Sequence, residues 1–439
     1  MPPTGEGRRI GLTTYDLQPN WPINHVFVYP TLDVNQLKNV LEQTLSSWPI
    51  VCGHIEIDDV VMNTYSIVCS DSAVPFTYVE NTELDQWPID LPVVVNESSQ
   101  LAPYLDPVSN ELRNHRSLLR FKITRLTRSG EYVLGVSFSH VIGDAASASL
   151  FLNDLSNLYQ HLPPLALRPV FERRLNLEGK VDPDLLARMK FYRDGAPLEE
   201  LIKIYREEHQ SSDPITMKFS SKELSLLRAR AGGDQLTVST NDALVAYVIF
   251  RLNTHFFSQQ QLIQRASIVV NYRQIIAVLS SPIQVGNCFM HILSDDFSDP
   301  YSFSTIAQTL RHSLNKFSEE SLALSQITTE NLARKHLDSK QFKPNWSCFN
   351  NEVFINSQYK YDWAGQVDMG MTNQCRMHMS QAKKLYFRVF RANPVREKDG
   401  TWTRDERAAE LSVRLSRGPQ LEVFLQKWKN DVKDDFASI

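Results

Sequence analysis

Apolar and polar residues alternate through Leu119, Arg120, Phe121, Lys122, Ile123 and Thr124, break at Ser129-Gly130, and alternate again through Tyr132, Leu134, Val136 and Phe138. A period of two on both sides of a turn predicts a β-hairpin. The period then changes. Ala148, Phe151, Leu152, Leu155, Leu158 and Tyr159 recur at three- and four-residue steps, one apolar stripe of a helix. Upstream, Leu37, Leu41, Leu45 and Trp48 make another stripe, stopped by Pro49. Downstream, Leu224 with Leu227 and Leu244 with Val248 predict two helices parted by Gly232-Gly233, and Ala266–Asn271 and Phe289–Leu293 read as buried strands. Leu385–Phe390 and Leu411–Leu415 flank a charged hairpin loop at Lys398-Asp399-Gly400, and Leu421, Phe424, Leu425, Trp428 and Val432 close the chain with an amphipathic helix. Strands and helices alternate in both halves, which predicts two α/β sandwiches.

A chain of 439 residues exceeds one comfortable core, so two domains of about 200 residues each are expected. We divide it into a first half at 1–180, a crossover at 181–214 and a second half at 215–439. The crossover is rich in charge and proline and includes a helical pattern from Leu185 to Glu208. A net charge of −4 with dispersed lysine and arginine argues against a nucleic-acid face. No apolar run reaches the roughly 20 residues of a membrane span. The opening Met1–Arg9 has no apolar signal-peptide core, so a cytoplasmic protein is expected. Cys52, Cys69, Cys288, Cys348 and Cys375 are scattered without a CxxC and read as reduced thiols, with neither a disulfide framework nor a zinc site.

The chemistry is sought where the two periods meet. His140 and Asp144 form an HxxxD spacing at that junction, a rigid strand end meeting a small-residue turn that a substrate could approach closely. His54 with Asp58, His209 with Asp213 and His291 with Asp295 share the spacing but not the frame. His209 lies in a polar run that reads as a linker, while His54 and His291 sit inside strand-like runs and read as packed strand histidines. Context alone leaves His140 open to a catalytic or a structural role.

The stretch His140–Phe151 resembles the HxxxDGxSxxxF signature of the BAHD acyltransferases, with Ser147 and Phe151 in place and Ala145 where the glycine would be. Further landmarks follow in the family's order over most of the chain: Leu12–Asp16 with Val26–Pro30, Trp48–Gly53, Thr240–Ala246, Asn271-Tyr272-Arg273 and Gly286-Asn287. The C-terminal DFGWG is degraded to Asp368-Met369-Gly370-Met371-Thr372, preceded by Ile355-Asn356-Ser357 where the family often has a Ser-Trp, and Asp362-Trp363-Ala364-Gly365 is a competing placement too close to Ser357. That erosion suggests a divergent, fungal-like branch.

The resemblance implies two related chloramphenicol-acetyltransferase-like α/β sandwiches with an active-site channel between them. It implies a monomeric enzyme of specialised metabolism that moves an acyl group from an acyl-CoA co-substrate to a small-molecule alcohol or amine, with no bound cofactor and no metal. His140 would be the general base. Asp144 would turn away from substrate to pair with Arg273, and Asp368 would support the site structurally. Two rivals remain: a condensation-domain-like enzyme fed by carrier-protein thioesters, against which Ser139 and Ala145 stand where HHxxxDG needs other residues, and a noncatalytic ligand binder. Met369, Met371, Met377 and Met379 read as core filler, Arg404–Arg407 as a solvated loop, and Leu84–Asn114 as either a lid or a surface excursion.

Overall fold

The structure is a computed structural model that describes residues 7–437, except 15, 18–20, 61–63, 109–116, 174–180, 182, 184–194, 233–237, 274–280, 340, 341, 344, 346, 349, 350, 381 and 382. Two six-stranded mixed sheets dominate it. The first runs Phe76–Asn81, Leu119–Leu126, Tyr132–Phe138, Ile23–Tyr29, Arg376–Ser380 and Val94–Val95. The second runs Ser212–Phe219, Ala409–Ser416, Tyr386–Arg391, Glu352–Ser357, Arg265–Asn271 and Phe289–Leu293. A small sheet joins Arg9–Gly11, Thr64–Val68 and His54–Asp59.

The alternation at Leu119–Phe138 becomes an antiparallel hairpin with Leu119 opposite Phe138. Its apolar partners Phe121, Ile123, Leu134 and Val136 pack with Phe151, Leu152 and Leu155 of the helix Ala145–Tyr159 and with Leu37 and Leu41 of the helix Val34–Ser47. The second core gathers Leu224 and Leu227, Leu244 and Val248, Ile306 and Leu310, and Leu421 and Phe424 over Val353, Ile355, Phe387, Val389, Leu411 and Val413. Each half is therefore a sheet covered by helices, the two-sandwich architecture.

The halves are not separate in space. Arg376–Ser380 lies between Ile23–Tyr29 and Val94–Val95 in the first sheet, and Trp363, Val367, Met369, Cys375, Met377 and Met379 belong to the first core. A boundary at 215 cannot show this, because a strand that changes sheets keeps the same apolar alternation. The linker assigned around His209 is also corrected: His209 ends the helix Leu198–Gln210, and Ser212–Phe219 is an edge strand whose buried Ile215, Met217 and Phe219 face the second core. Polar Ser211–Asp213 masked its start. Within the crossover, 184–194 lie outside the described residues, as does Gly233.

Of the segment Leu84–Asn114, residues 109–114 lie outside the described residues, and the rest carries buried packing residues rather than a surface excursion. Trp87, Val95, Leu101 and Tyr104 pack against Val26, Val28 and Val133 on the outer face of the first sheet. Gly135 permits this approach, since a Cβ there would stand 1.8 Å from the Tyr104 carbonyl oxygen. Three of the four methionines, Met369, Met377 and Met379, are buried core residues, and Met371 packs against that core.

Candidate active site

Phe138 ends the hairpin, and the chain turns through His140–Gly143 before Asp144 caps the helix Ala145–Tyr159 by accepting from the Ser147 amide at 3.0 Å. The turn is held by groups from distant parts of the chain. Asp144 accepts from Arg273 Nη1 at 2.7 Å and Nη2 at 3.0 Å, a two-pronged buried ion pair, and also from the Cys288 amide at 3.1 Å. Arg273 donates further to the carbonyls of Gln284 and Gly286. Arg173 Nη2 donates to the Ile142 carbonyl at 2.7 Å, and its Nη1 to the Val285 carbonyl at 3.1 Å. Gly143 is required by close packing: a Cβ there would lie 2.4 Å from Ser147 Oγ in the helix that follows and 2.9 Å from the Gly286 amide of the other half.

The electrostatics follow from burial and pairing. Burial alone would raise the Asp144 carboxyl, but Arg273 outweighs it and holds the group below its ordinary value. Burial opposes the Arg273 charge in the same way, and Asp144 raises that guanidinium above its ordinary value.

His140 points elsewhere. Its Nδ1 lies 2.9 Å from Asn287 Oδ1, and the Asn287 Nδ2 donates to the His140 carbonyl at 2.9 Å and to Asp16 Oδ1 at 3.2 Å. Because the amide nitrogen faces two acceptors, the amide oxygen must face the ring. The Nδ1 therefore carries the proton and donates, which leaves the Nε2 lone pair free. Among the described residues, no protein hydrogen bond engages that Nε2. Burial lowers the His140 pKa below its ordinary value, and Asp144 and Asn287 offset only part of that, so the ring is neutral at pH 7. It nevertheless keeps partial solvent access.

The thiol and hydroxyl nearby are poor nucleophiles. Burial pushes the Cys288 thiol up to about 11. Ser147 Oγ is surrounded by Asp144, the Gly286 carbonyl, the Gly286 amide and Arg273 Nη2. Among the described residues no cluster of His, Cys, Asp or Glu could hold a metal, and all five cysteines are unpaired.

The structure brings His140, Asp144 and Arg273 together and leaves Asp368 at a distance. Asp368 accepts from Gln160 Nε2 at 3.0 Å and the Gly370 amide at 2.9 Å, and the Met369 amide donates to Ser156 Oγ. It thus anchors the far end of the helix that Asp144 begins, about 22 Å away at 1.5 Å per residue. Its neighbours Met369 and Gly370 take φ of 49° and 82°, a tight left-handed turn, with Met369 and Met371 where the family has aromatics. The competing Asp362 caps the turn Trp363–Gln366 and pairs with Arg404. Of the rival histidines, His54 bonds Glu56, His209 lies at the surface near Glu97, and burial holds the His291 ring down to about 3.

Three contributors escaped sequence reasoning. Asn287 and Asp16 lay within quoted landmarks, yet no periodicity says that residues so far apart meet at one imidazole. Arg173 gave no signal.

The fold is thus two helix-covered sheets with a half-buried HxxxD histidine where the halves meet. A sequence profile of the transferase family matches residues 4–372, and the chain belongs to that family, the BAHD acyltransferases. The solved structure of F. graminearum TRI101 with ethyl coenzyme A superposes with a TM-score of 0.70 over 94% of this chain and 96% of that one at 14% identity. Vinorine synthase superposes with a TM-score of 0.60 over 96% and 93% at 18% identity. Phenolic glucoside malonyltransferase 1 of Bemisia tabaci is 30% identical over 183 residues. The matched stretch spans 38% of this chain and 38% of that relative. Among the described residues, no helix is long and apolar enough to cross a membrane.

Proposed function

We infer that the protein transfers an acyl group from a coenzyme A thioester to a hydroxyl or amine of a small-molecule acceptor, with His140 as general base. The observation that carries this is the Asn287 amide, which fixes the Nδ1–H tautomer of His140 and leaves Nε2 as a lone-pair acceptor. Nε2 takes the acceptor proton as the acceptor oxygen or nitrogen attacks the thioester carbonyl. The tetrahedral oxyanion collapses, the carbon–sulfur bond breaks, and the departing thiolate takes the proton back from His140. No acyl-enzyme is needed, because the thioester is already activated and both Ser147 and Cys288 are held unreactive. Asp144 and Arg273 act as positioning residues: they lock the Gly286-Asn287 turn against the His140 turn.

We take the enzyme to be cytoplasmic, a reading supported by its five unpaired cysteines, and monomeric, which size-exclusion chromatography with light scattering tests. The test of activity is free-thiol release from a panel of acyl-CoAs with alcohol and amine acceptors. Release with wild type and its loss in His140→Ala supports the assignment. Acceptance of carrier-protein thioesters alone, or of no thioester, overturns it in favour of a condensation-like enzyme or a ligand binder.

A further inference from the structure

The second sheet turns one face toward the first half, and that face is not uniformly apolar. In Glu352–Ser357 and Tyr386–Arg391, Val353, Ile355, Phe387 and Val389 enter the second core. Phe354, Asn356, Tyr386 and Arg388 alternate with them and so take the opposite face, on which Phe390 joins the first core. A row of rings crosses this face from the proposed base. His140 meets Phe289 with centroids 6.0 Å apart, Phe289 meets His291 at 5.8 Å, His291 meets Phe354 at 5.0 Å, and Phe354 stacks on Tyr386 at 4.7 Å and 11°. Asn356 Nδ2 donates to the Tyr386 hydroxyl at 2.8 Å, and the strand register pairs Asn356 with Arg388.

Arg388 is the anomaly in that row. Other guanidinium groups near the junction have carboxylates: Arg273 has Asp144, Arg173 has Asp16 and Arg376 has Glu131. No described carboxylate lies within ion-pair distance of Arg388, whose Nη1 reaches only the Ser380 carbonyl at 3.4 Å and whose Nη2 reaches Met379 Sδ at 3.0 Å. Its Nε is buried without a hydrogen-bond partner among the described residues. Burial lowers its pKa, with only the Tyr386 hydroxyl acting against that, and Arg388 in turn helps hold the nearby His25 ring uncharged. The side chain is half-buried, and its guanidinium also lies 5.3 Å from the centre of the Phe390 ring, so a partly shielded cation without a counter-charge is left for a ligand to pair.

We propose that Arg388 reads a carboxylate on a ring-bearing substrate that lies along the row from Phe289 to Tyr386, with its reacting group at His140. This rests on the acyl-transfer reading above and adds a substrate class to it. The carboxylate could come from the acceptor or from a dicarboxylic acyl group, and the experiment separates the two. Wild-type enzyme is assayed with 8-(4-hydroxyphenyl)octanoate, whose chain is long enough to follow the row, and its methyl ester as acceptors, each with acetyl-CoA and malonyl-CoA. Calorimetry measures binding of the acid and the ester without donor.

The acid should bind at least about tenfold more tightly than the ester and show the lower KM, since hydrogen bonds to charged groups are the strong ones. Arg388→Met should shrink that acid-to-ester gap by about 10–100-fold, and Arg388→Lys should restore part of it. A gap that follows malonyl-CoA over acetyl-CoA and is absent between acid and ester assigns the carboxylate to the donor instead. Equal binding and KM across both comparisons in wild type overturns the proposal without needing any variant to fold. So does a gap that survives Arg388→Met. Transfer to the ester with no acid preference leaves the acyl-transfer reading standing and sinks only this one.

Discussion

Replacing Asp144 separates the structural from the chemical meaning of the HxxxD spacing. Asp144 and Arg273 are 6% and 7% exposed, and the carboxylate receives both guanidinium nitrogens together with the Ser147 and Cys288 amides. Removing one member of a buried ion pair costs about 3–5 kcal/mol, because the survivor keeps its charge without a partner. Asp144 also caps a helix, worth about 1 kcal/mol more. Asp144→Ala should therefore cost about 4–6 kcal/mol and Arg273→Ala about 3–5 kcal/mol. The double variant should cost little more than the worse single, giving a coupling near 3 kcal/mol, the upper range for contacting residues. Asp144→Asn keeps the cap and isolates the charge. The assay is urea unfolding monitored by tryptophan fluorescence, with midpoint and slope fitted for all four proteins of the cycle. A coupling under about 0.5 kcal/mol would refute the pairing. Full activity in Asp144→Asn with a lost urea midpoint would show that the aspartate serves position alone.

Other outcomes follow from the same geometry. His140→Ala should lower kcat by about 10²–10⁴-fold, whereas alanine at His54, His209 or His291 should leave most activity; a dead variant at one of those three would relocate the base. Asn287→Ala should reduce kcat by about 10–100-fold, less than loss of the base, and an unchanged pH–rate profile in that variant would contradict its part in fixing the tautomer. In wild type, kcat/KM should fall on the acid side with a midpoint below 6.5, because a base of lowered pKa stays neutral further into acid; a midpoint above 6.5 contradicts the burial effect. Burial holds His25, His291 and His378 down to about 3, so the unfolded chain binds more protons between 6.5 and about 3, and stability should be intact above 6.5 and fall by about 1.4 kcal/mol per pH unit for each ring below it. Initial-rate kinetics with both substrates varied should give intersecting double-reciprocal lines, and parallel lines would mean a covalent intermediate.

The sequence by itself determined what local periodicity can carry. The hairpin, the helix after His140 and the two-sandwich class rest on local alternations and turns. Burying one face of each element is enough to fix those. Only the tertiary structure decided which distant groups share a point in space. Arg376–Ser380 enters the first sheet, because an edge in that sheet is open to it and its alternation suits either sheet. Asn287 and Asp16 reach the His140 turn across more than a hundred residues of chain and Arg173 across 31, and hydrogen bonds made by side chains leave no period behind them. Arg388 is the sharpest case: an arginine in an alternating strand looks like any solvent-facing residue until the first half packs beside it and leaves its Nε enclosed without a partner.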